Sequence, residues 1–269
     1  MKEYDKYLKL LKEKYPTKQS VYRELINLNA IMNLPKGTEH FMSDLHGEYD
    51  AFYHIINNCS GVIKEKVAML YGDELTVFEQ QELCTLIYYP REKLSILMDE
   101  NKVNDEWYRN VLNQLIQIAK LLSSKYTRSK VRKAMPVDFA YIIDELIHAQ
   151  KDEDDNRSVY HRQIMETILS LHNGDEFLVA LTDLIKRLAV DHLHILGDIY
   201  DRGAHADKIL DLLMEHHSVD IQWGNHDILW MGAFCGNPVC MALVVRNNIK
   251  YKTMSILENG YGISLRFLL

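Results

Sequence analysis

This 269-residue chain has no cationic excess: 31 basic side chains face 38 acidic ones, for a net charge of −7. That balance supplies no electrostatic pull toward nucleic acid or an anionic lipid surface. It leaves an anionic substrate open, because a bound metal can reverse the local field. Long hydrophobic runs are also missing, and none approaches the roughly 20 residues that cross a bilayer. The opening "MKEYDKYLKLLKEKYP" reads as a charged amphipathic helix without the apolar centre of a secretion signal. Cysteines are few and scattered: Cys59, Cys84, Cys235 and Cys240. Cys235 and Cys240 do not have zinc-knuckle spacing, so the expectation is small buried thiols in a reducing compartment. These absences together predict a cytoplasmic protein with neither nucleic acid nor membrane as partner.

The chain does have an ordinary globular composition, 47% hydrophobic and 26% charged. Its length suits one large domain or two small ones. Three stretches read as buried strands: "EHFMSD" (Glu39 to Asp44), "DHLHILGD" (Asp191 to Asp198) and "VDIQWGNHD" (Val219 to Asp227). Each stops on a polar turn and is followed by a helical pattern, which is the order of a parallel α/β sheet. Ligands gather in such sheets at the carboxyl ends of the strands. Between the first strand and the second, the pattern turns helical. "TVFEQQELCTLIYY", "WYRNVLNQLIQIAKLLSSKY", "VDFAYIIDELIHAQ", "YHRQIMETILSLH" and "EFLVALTDLIKRLAV" each carry apolar residues at a 3.6-residue period. "KDEDDNRS" (Lys151 to Ser158) reads as an exposed polar loop. No repeat of fixed period is visible.

Chemistry concentrates in the three turns: "SDLHGE" (Ser43 to Glu48), "GDIYDRG" (Gly197 to Gly203) and "GNHD" (Gly224 to Asp227). Alone, Asp44-Leu45-His46 is equally a helix cap beside a surface histidine. Gly-Asp-x-x-Asp-Arg-Gly, with five fixed residues, is far more specific, and Gly-Asn-His-Asp follows in a consistent order and context. Gly203 and Gly224 fit close turns where a side chain would crowd the site. Asp227 is either a helix cap or a support for the neighbouring ligands. His192 and His194 alternate on a strand and read as satisfied structural histidines. His205 follows Arg202 on the same turn, and His216 and His217 lie nearby. The basic run "YTRSKVRK" (Tyr126 to Lys133) is either a solvated helix face or a landing place for a second phosphate.

These motifs resemble the calcineurin-like metallophosphoesterase superfamily. "FMSDLHGEYDAFYHIINNCSGVIKEKV", "HILGDIYDRGAHADKILDLLMEHHSVDIQWGNHDILWMGA" and "LENGYGI" resemble, more narrowly, class III bacterial fructose-1,6-bisphosphatase. The resemblance implies an α/β fold with a calcineurin-like core, a partial β-sandwich with flanking helices. The core would be residues 1–50 and 190–269, interrupted after its first strand by an all-helical insertion over 51–189. It also implies two Mn²⁺ or Mg²⁺ ions bridged by Asp198, with Asp44 and His46 on one and the Asn225 carbonyl on the other. Asp201 would orient His226 to protonate a leaving sugar alkoxide, and Arg202 would grip phosphate oxygens. The implied reaction is hydrolysis of fructose 1,6-bisphosphate in gluconeogenesis, with a small phosphorylated sugar as partner and room for a homo-oligomer.

The superfamily also uses a lone histidine and a Gly-His-x-His-like segment downstream of Gly-Asn-His. No histidine follows His226 here, and "SLRFLL" reads as the start of a helix. The expectation is an N-terminal fragment holding part of a metal site, impaired or inactive by itself. Two other readings stay open: a phosphoprotein or dinucleoside-polyphosphate phosphatase using the same chemistry, and a non-catalytic assembly or regulatory module.

Overall fold

The computed structural model describes residues 2–149 and 155–265. All three expected strands are present, as β1 (Glu39–Met42), β2 (His192–Ile195) and β3 (Val219–Ile221). They form a parallel sheet in the order β1-β2-β3, with Phe41 opposite His194 and His194 opposite Asp220. The sequence suggested three buried strands, yet no residue of β1 or β3 is buried, and β2 is covered on one face only. Leu193 and Ile195 are fully buried, whereas His192 and His194 point to the opposite, half-open face. The cause is the two-residue period of a strand, which sends alternate side chains to opposite faces.

Fourteen α-helices lie among the described residues. They are α1 (Lys2–Lys14), α2 (Lys18–Ile31), α3 (Tyr49–Asn58), α4 (Val62–Tyr71), α5 (Val77–Tyr88), α6 (Pro90–Asp99), α7 (Asp105–Ser123), α8 (Arg128–Ala134), α9 (Ala140–His148), α10 (Asp155–Ser170), α11 (Gly174–Ala189), α12 (Ala206–Glu215), α13 (Asn225–Phe234) and α14 (Pro238–Tyr251). No helix among the described residues is long and apolar enough to cross a membrane. The polar loop expected at Lys151 to Ser158 lies outside the described residues as far as Asp154, and Asp155 already begins α10. Of "SLRFLL", Ser264 and Leu265 are described and not helical, and the rest lies outside.

Local chemistry explains where the helices begin. Asn104 accepts the Trp107 backbone N–H at 2.8 Å and starts α7. Thr76 and Glu79 cap α5 reciprocally, each side chain accepting the other's backbone N–H. In α11, Asp175 and Glu176 open the helix and Lys186 and Arg187 close it, complementing the helix dipole at both ends.

Two hydrophobic cores follow from these elements. The larger runs from Cys59 to Val190 and centres on α11 against α7, where Phe177, Leu178, Leu181 and Leu184 meet Leu112, Leu115, Ile118 and Leu122. Each such fully buried aliphatic side chain contributes about 1.5–3 kcal/mol. The smaller core packs Leu193 and Ile195 of the sheet against Phe52 of α3, Ile209 and Leu213 of α12, Val244 of α14, and Leu257. Cys59 and Cys84 are buried as expected, and burial pushes the Cys59 thiol up to about 12. Cys235 is exposed, because it closes α13 on the outer surface, and all four cysteines are free thiols.

Candidate metal and phosphate site

The three polar turns converge at the carboxyl ends of the strands. Backbone hydrogen bonds zip the first turn to the second: Asp44 N–H to Gly197 C=O (3.1 Å), His46 N–H to Asp198 C=O (2.8 Å), Gly47 N–H to Ile199 C=O (2.8 Å) and Gly203 N–H to His46 C=O (2.6 Å). A side chain on Gly203 would strike the backbone of His46 and Gly47, so glycine keeps these turns in contact.

Asp227 joins the second turn to the third. Its carboxylate accepts the backbone N–H groups of Asp198 (2.8 Å), Ile199 (2.9 Å), Tyr200 (3.2 Å) and Gly224 (2.8 Å). Gly224 stands at the cap position of α13 and Asp227 three residues on, so Asp227 is not the cap itself. It works as a buried tie between two loops.

Strain collects at the same place. Asp44, His46, Asp198, Asp201 and Arg202 all have left-handed backbones, with φ of 55°, 46°, 55°, 63° and 76°. Such conformations in non-glycine residues cost on the order of 1–3 kcal/mol each and persist where surrounding bonds over-determine them.

Ligating atoms of Asp44, His46 and Asp198 lie within 4.8 Å of one another. His46 is buried, and its Nδ1 sits 3.1 Å from the Tyr200 carbonyl oxygen. A carbonyl only accepts, so Nδ1 carries a proton, and in the neutral ring Nε2 presents a lone pair. That lone pair faces the Asp44 carboxylate at 3.6 Å, two electron-rich groups with no hydrogen between them. A cation suits such a pocket, and holding the other imidazole nitrogen on a carbonyl is how metal-ligating histidines are commonly fixed. The Asp198 carboxylate accepts the His226 backbone N–H at 3.3 Å. It also lies so close to Gly224 that a Cβ there would overlap it. Asn225, exposed at the first position of α13, stands between these two Asp198 contacts.

Beside this cluster is a second arrangement. His226 Nδ1 donates to Asp201 Oδ2 at 2.6 Å, and Asp201 is only 3% exposed. Two further donors saturate that carboxylate: Asn247 Nδ2 at 2.8 Å and Trp230 Nε1 at 3.3 Å. Trp230 is itself stacked on Tyr200 (centroids 4.4 Å apart) and leans on Tyr261, while the Tyr200 and Tyr261 hydroxyls bond at 2.7 Å. The His226 ring meets the His46 ring edge to face at 5.7 Å, which brings dyad and ligand cluster into contact.

Asp44, His46, Asp198, Asp201 and His226 are thus brought together by contacts, and Asn225 by its place between Gly224 and His226. Arg202 lies on the second turn with an exposed side chain, as does His205, whose backbone N–H bonds to Gly47 C=O at 3.2 Å. The basic run at Tyr126 to Lys133 is elsewhere. Its Arg128 pairs with Asp144 at 3.0 Å and Lys130 with Asp191 at 2.5 Å. Sequence reasoning missed Trp230 and Asn247. Trp230 had a signal in lying four residues after His226, one helical turn along the same face. Asn247 comes from α14, and nothing in its neighbourhood announces the contact.

The chain is 54% identical to a fructose-1,6-bisphosphatase class 3 of Clostridium beijerinckii, over 98% of this chain and 41% of the relative. It is 55% identical to one of Listeria monocytogenes, over 97% of this chain and 40% of the relative. One of Clostridium acetobutylicum is 54% identical, with 97% and 39% covered. The chain therefore spans about two fifths of the length of these curated relatives. No solved structure matches it. The family model described as Firmicute fructose-1,6-bisphosphatase matches residues 6–269, and the chain belongs to that family.

Proposed function

We propose that this chain carries the phosphate-hydrolysing centre of a metal-dependent fructose-1,6-bisphosphatase, releasing fructose 6-phosphate and phosphate in cytoplasmic gluconeogenesis. The observation that carries it is the meeting of three strand-end turns on one cluster: Asp44, His46 and Asp198 within ligand distance, with the His226–Asp201 dyad against them. The relatives' identity as fructose-1,6-bisphosphatases supports the choice of substrate. The same reading makes the sheet and its helices a calcineurin-like core over residues 1–50 and 190–269, with 51–189 as a helical insertion. Two separate hydrophobic cores support a division of this kind, although Phe52 and Ile56 of α3 pack with the sheet, so the helical core itself begins at Cys59.

The donor set fits a pair of hard divalent cations, Mn²⁺ or Mg²⁺, since it combines carboxylates, one imidazole and an amide carbonyl. Asp44 and His46 would hold one ion and Asn225 the other, with Asp198 between them. When bound, such ions polarise a phosphoryl group and generate the nucleophile from water. This chain's residues do the rest. Asp201 accepts the Nδ1 proton of His226, so Nε2 is the nitrogen left to hand a proton to the departing sugar oxygen. Asn247 and Trp230 keep the Asp201 carboxylate from turning away. Arg202 offers a planar fork to phosphate oxygens.

Calorimetric Mn²⁺ titration of the chain and of Asp198→Asn, with phosphate release from fructose 1,6-bisphosphate followed in parallel, tests the proposal. Asp198→Asn is expected to remove the heat of Mn²⁺ binding that belongs to the strand-end cluster. Equal heats from both proteins would instead favour a non-catalytic module. No histidine follows His226, so the ligand set in these residues is open. Turnover by this chain alone is expected far below that of a longer relative under the same conditions.

A further inference from the structure

The half-open face of the sheet carries a second cluster, set on the strands and not on the turns that hold Asp44, His46 and Asp198. His192 and His194, two residues apart on β2, share that face with Asp220, the register partner of His194 on β3, and with Glu39, the partner of His192 on β1. His192 Nε2 is 3.2 Å from Asp220 Oδ2, and His194 Nδ1 is 2.9 and 3.0 Å from the two Asp220 oxygens. The two imidazoles are 4.4 Å apart, and the ligating atoms of all three residues lie within 4.8 Å of one another.

We propose that His192, His194 and Asp220 form a divalent metal site of the zinc class, separate from the Asp44–His46–Asp198 cluster and pinning β2 to β3. Three features of the geometry carry it. First, Zn²⁺ binds nitrogen and oxygen ligands at about 2.0–2.1 Å in a tetrahedron, whose ligand-to-ligand edges are therefore about 3.3 Å. The separations of 2.9–3.2 Å from Asp220 to the imidazoles are already close to such edges.

Second, the other nitrogen of each imidazole has an oxygen beside it, within hydrogen-bond distance for His192 and only as a charge contact for His194. His192 Nδ1 is 2.6 Å from Ser218 Oγ, and His194 Nε2 is 3.6 Å from Glu39 Oε2. With protons on those nitrogens, both ring lone pairs face Asp220, which is the ring orientation that outer partners impose on metal-bound histidines. The opposite placement, with both protons toward Asp220, leaves His194 Nε2 as a bare lone pair beside a carboxylate. That nitrogen is buried and has no hydrogen-bond partner.

Third, Phe41 stacks on the His194 ring at 4.3 Å and 12°, which fixes its plane. Two imidazoles and a carboxylate suit zinc better than magnesium or calcium, which prefer all-oxygen sets. Partial exposure of His192 and Asp220 leaves the fourth position to water.

The test separates this site from the first one. Zn²⁺ is titrated against a chromophoric chelator into Asp44→Asn/Asp198→Asn chain, in which the strand-end cluster is disabled. X-ray absorption at the zinc edge then reads the ligands. One Zn²⁺ per chain with two imidazoles is expected. His194→Gln in that background should weaken binding at least a hundredfold, and Ser218→Ala about tenfold, the range for losing an outer partner. Absence of zinc binding in a background that keeps its circular dichroism overturns the proposal, as does affinity unchanged by His192→Gln, His194→Gln and Asp220→Asn. Should the background not fold, Co²⁺ is counted on the unsubstituted chain and on Asp220→Asn. Loss of one equivalent supports the site and an equal count overturns it.

Discussion

Asp201 is a carboxylate almost sealed from solvent, and it is kept there by three donors from two helices, the dyad histidine among them. A buried charge is tolerated only when its lone pairs are paired. Asn247→Ala removes one of those donors and leaves a carboxylate oxygen under-satisfied, at a cost of about 1–3 kcal/mol. Thermal unfolding should show that loss, and the His226 ring signals in NMR should broaden or move as its partner loosens. An unchanged melting temperature with unchanged His226 signals would mean that Asn247 has no hold on the dyad. Trp230→Phe, which keeps the stack on Tyr200 but loses the N–H, should give a smaller effect in the same direction, since its bond is the longer one. Neither role was readable from the motif, because Gly-Asn-His announces the histidine and not what steadies its aspartate.

Elements were more legible than contacts. The 3.6-residue spacing in "EFLVALTDLIKRLAV" and "WYRNVLNQLIQIAKLLSSKY" anticipated α11 and α7, and their buried residues are the ones on the apolar stripe. The ten-residue helices α4 and α6 are not among the periodic segments, whereas the nine-residue α9 is, and α8 falls in the basic run that reads as a solvated helix face or a phosphate landing place. Since Leu181 on α11 is fully buried at the centre of the larger core, Leu181→Ala is expected to destabilise the chain by about 2–5 kcal/mol. Chemical denaturation would measure it. A loss below about 0.5 kcal/mol, the scale of surface substitutions, would show that α11 is not the keystone of that core.

For the molecule as a whole, the junction between helical layer and sheet carries a pH dependence. His216 and His217 stack at 4.4 Å where α12 leads into β3, and His217 Nε2 donates to the Val190 carbonyl at 3.0 Å. Burial, with His217 as the next cause, pushes the His216 imidazole down to about 4. In the unfolded chain the ordinary value is about 6.5. Above that pH both states are neutral and the penalty is absent. As pH falls from about 6.5 toward 4, the unfolded chain takes up a proton that the folded one refuses, and stability is lost. Melting temperature is therefore expected to drop between pH 7 and pH 5, and to drop less in His216→Gln. Equal drops in the two proteins would remove His216 from the account.

The sequence by itself determined the three strand ends, the α/β order, the helical stretch between the first two strands, and which residue types stand on the polar turns. Those are local properties, set by side-chain period and by the few residues that tolerate a left-handed turn. Tertiary packing settled that β2 is open on one face, that Asp227 ties two loops as well as accepting the cap N–H of α13, and that Asn247 and Trp230 hold Asp201. It also decided that His192 and His194, unremarkable along the chain, share Asp220 across a strand pair. The physical reason is common to all of these. Contacts between residues far apart in sequence depend on sheet register and helix placement, and neither leaves a local signature.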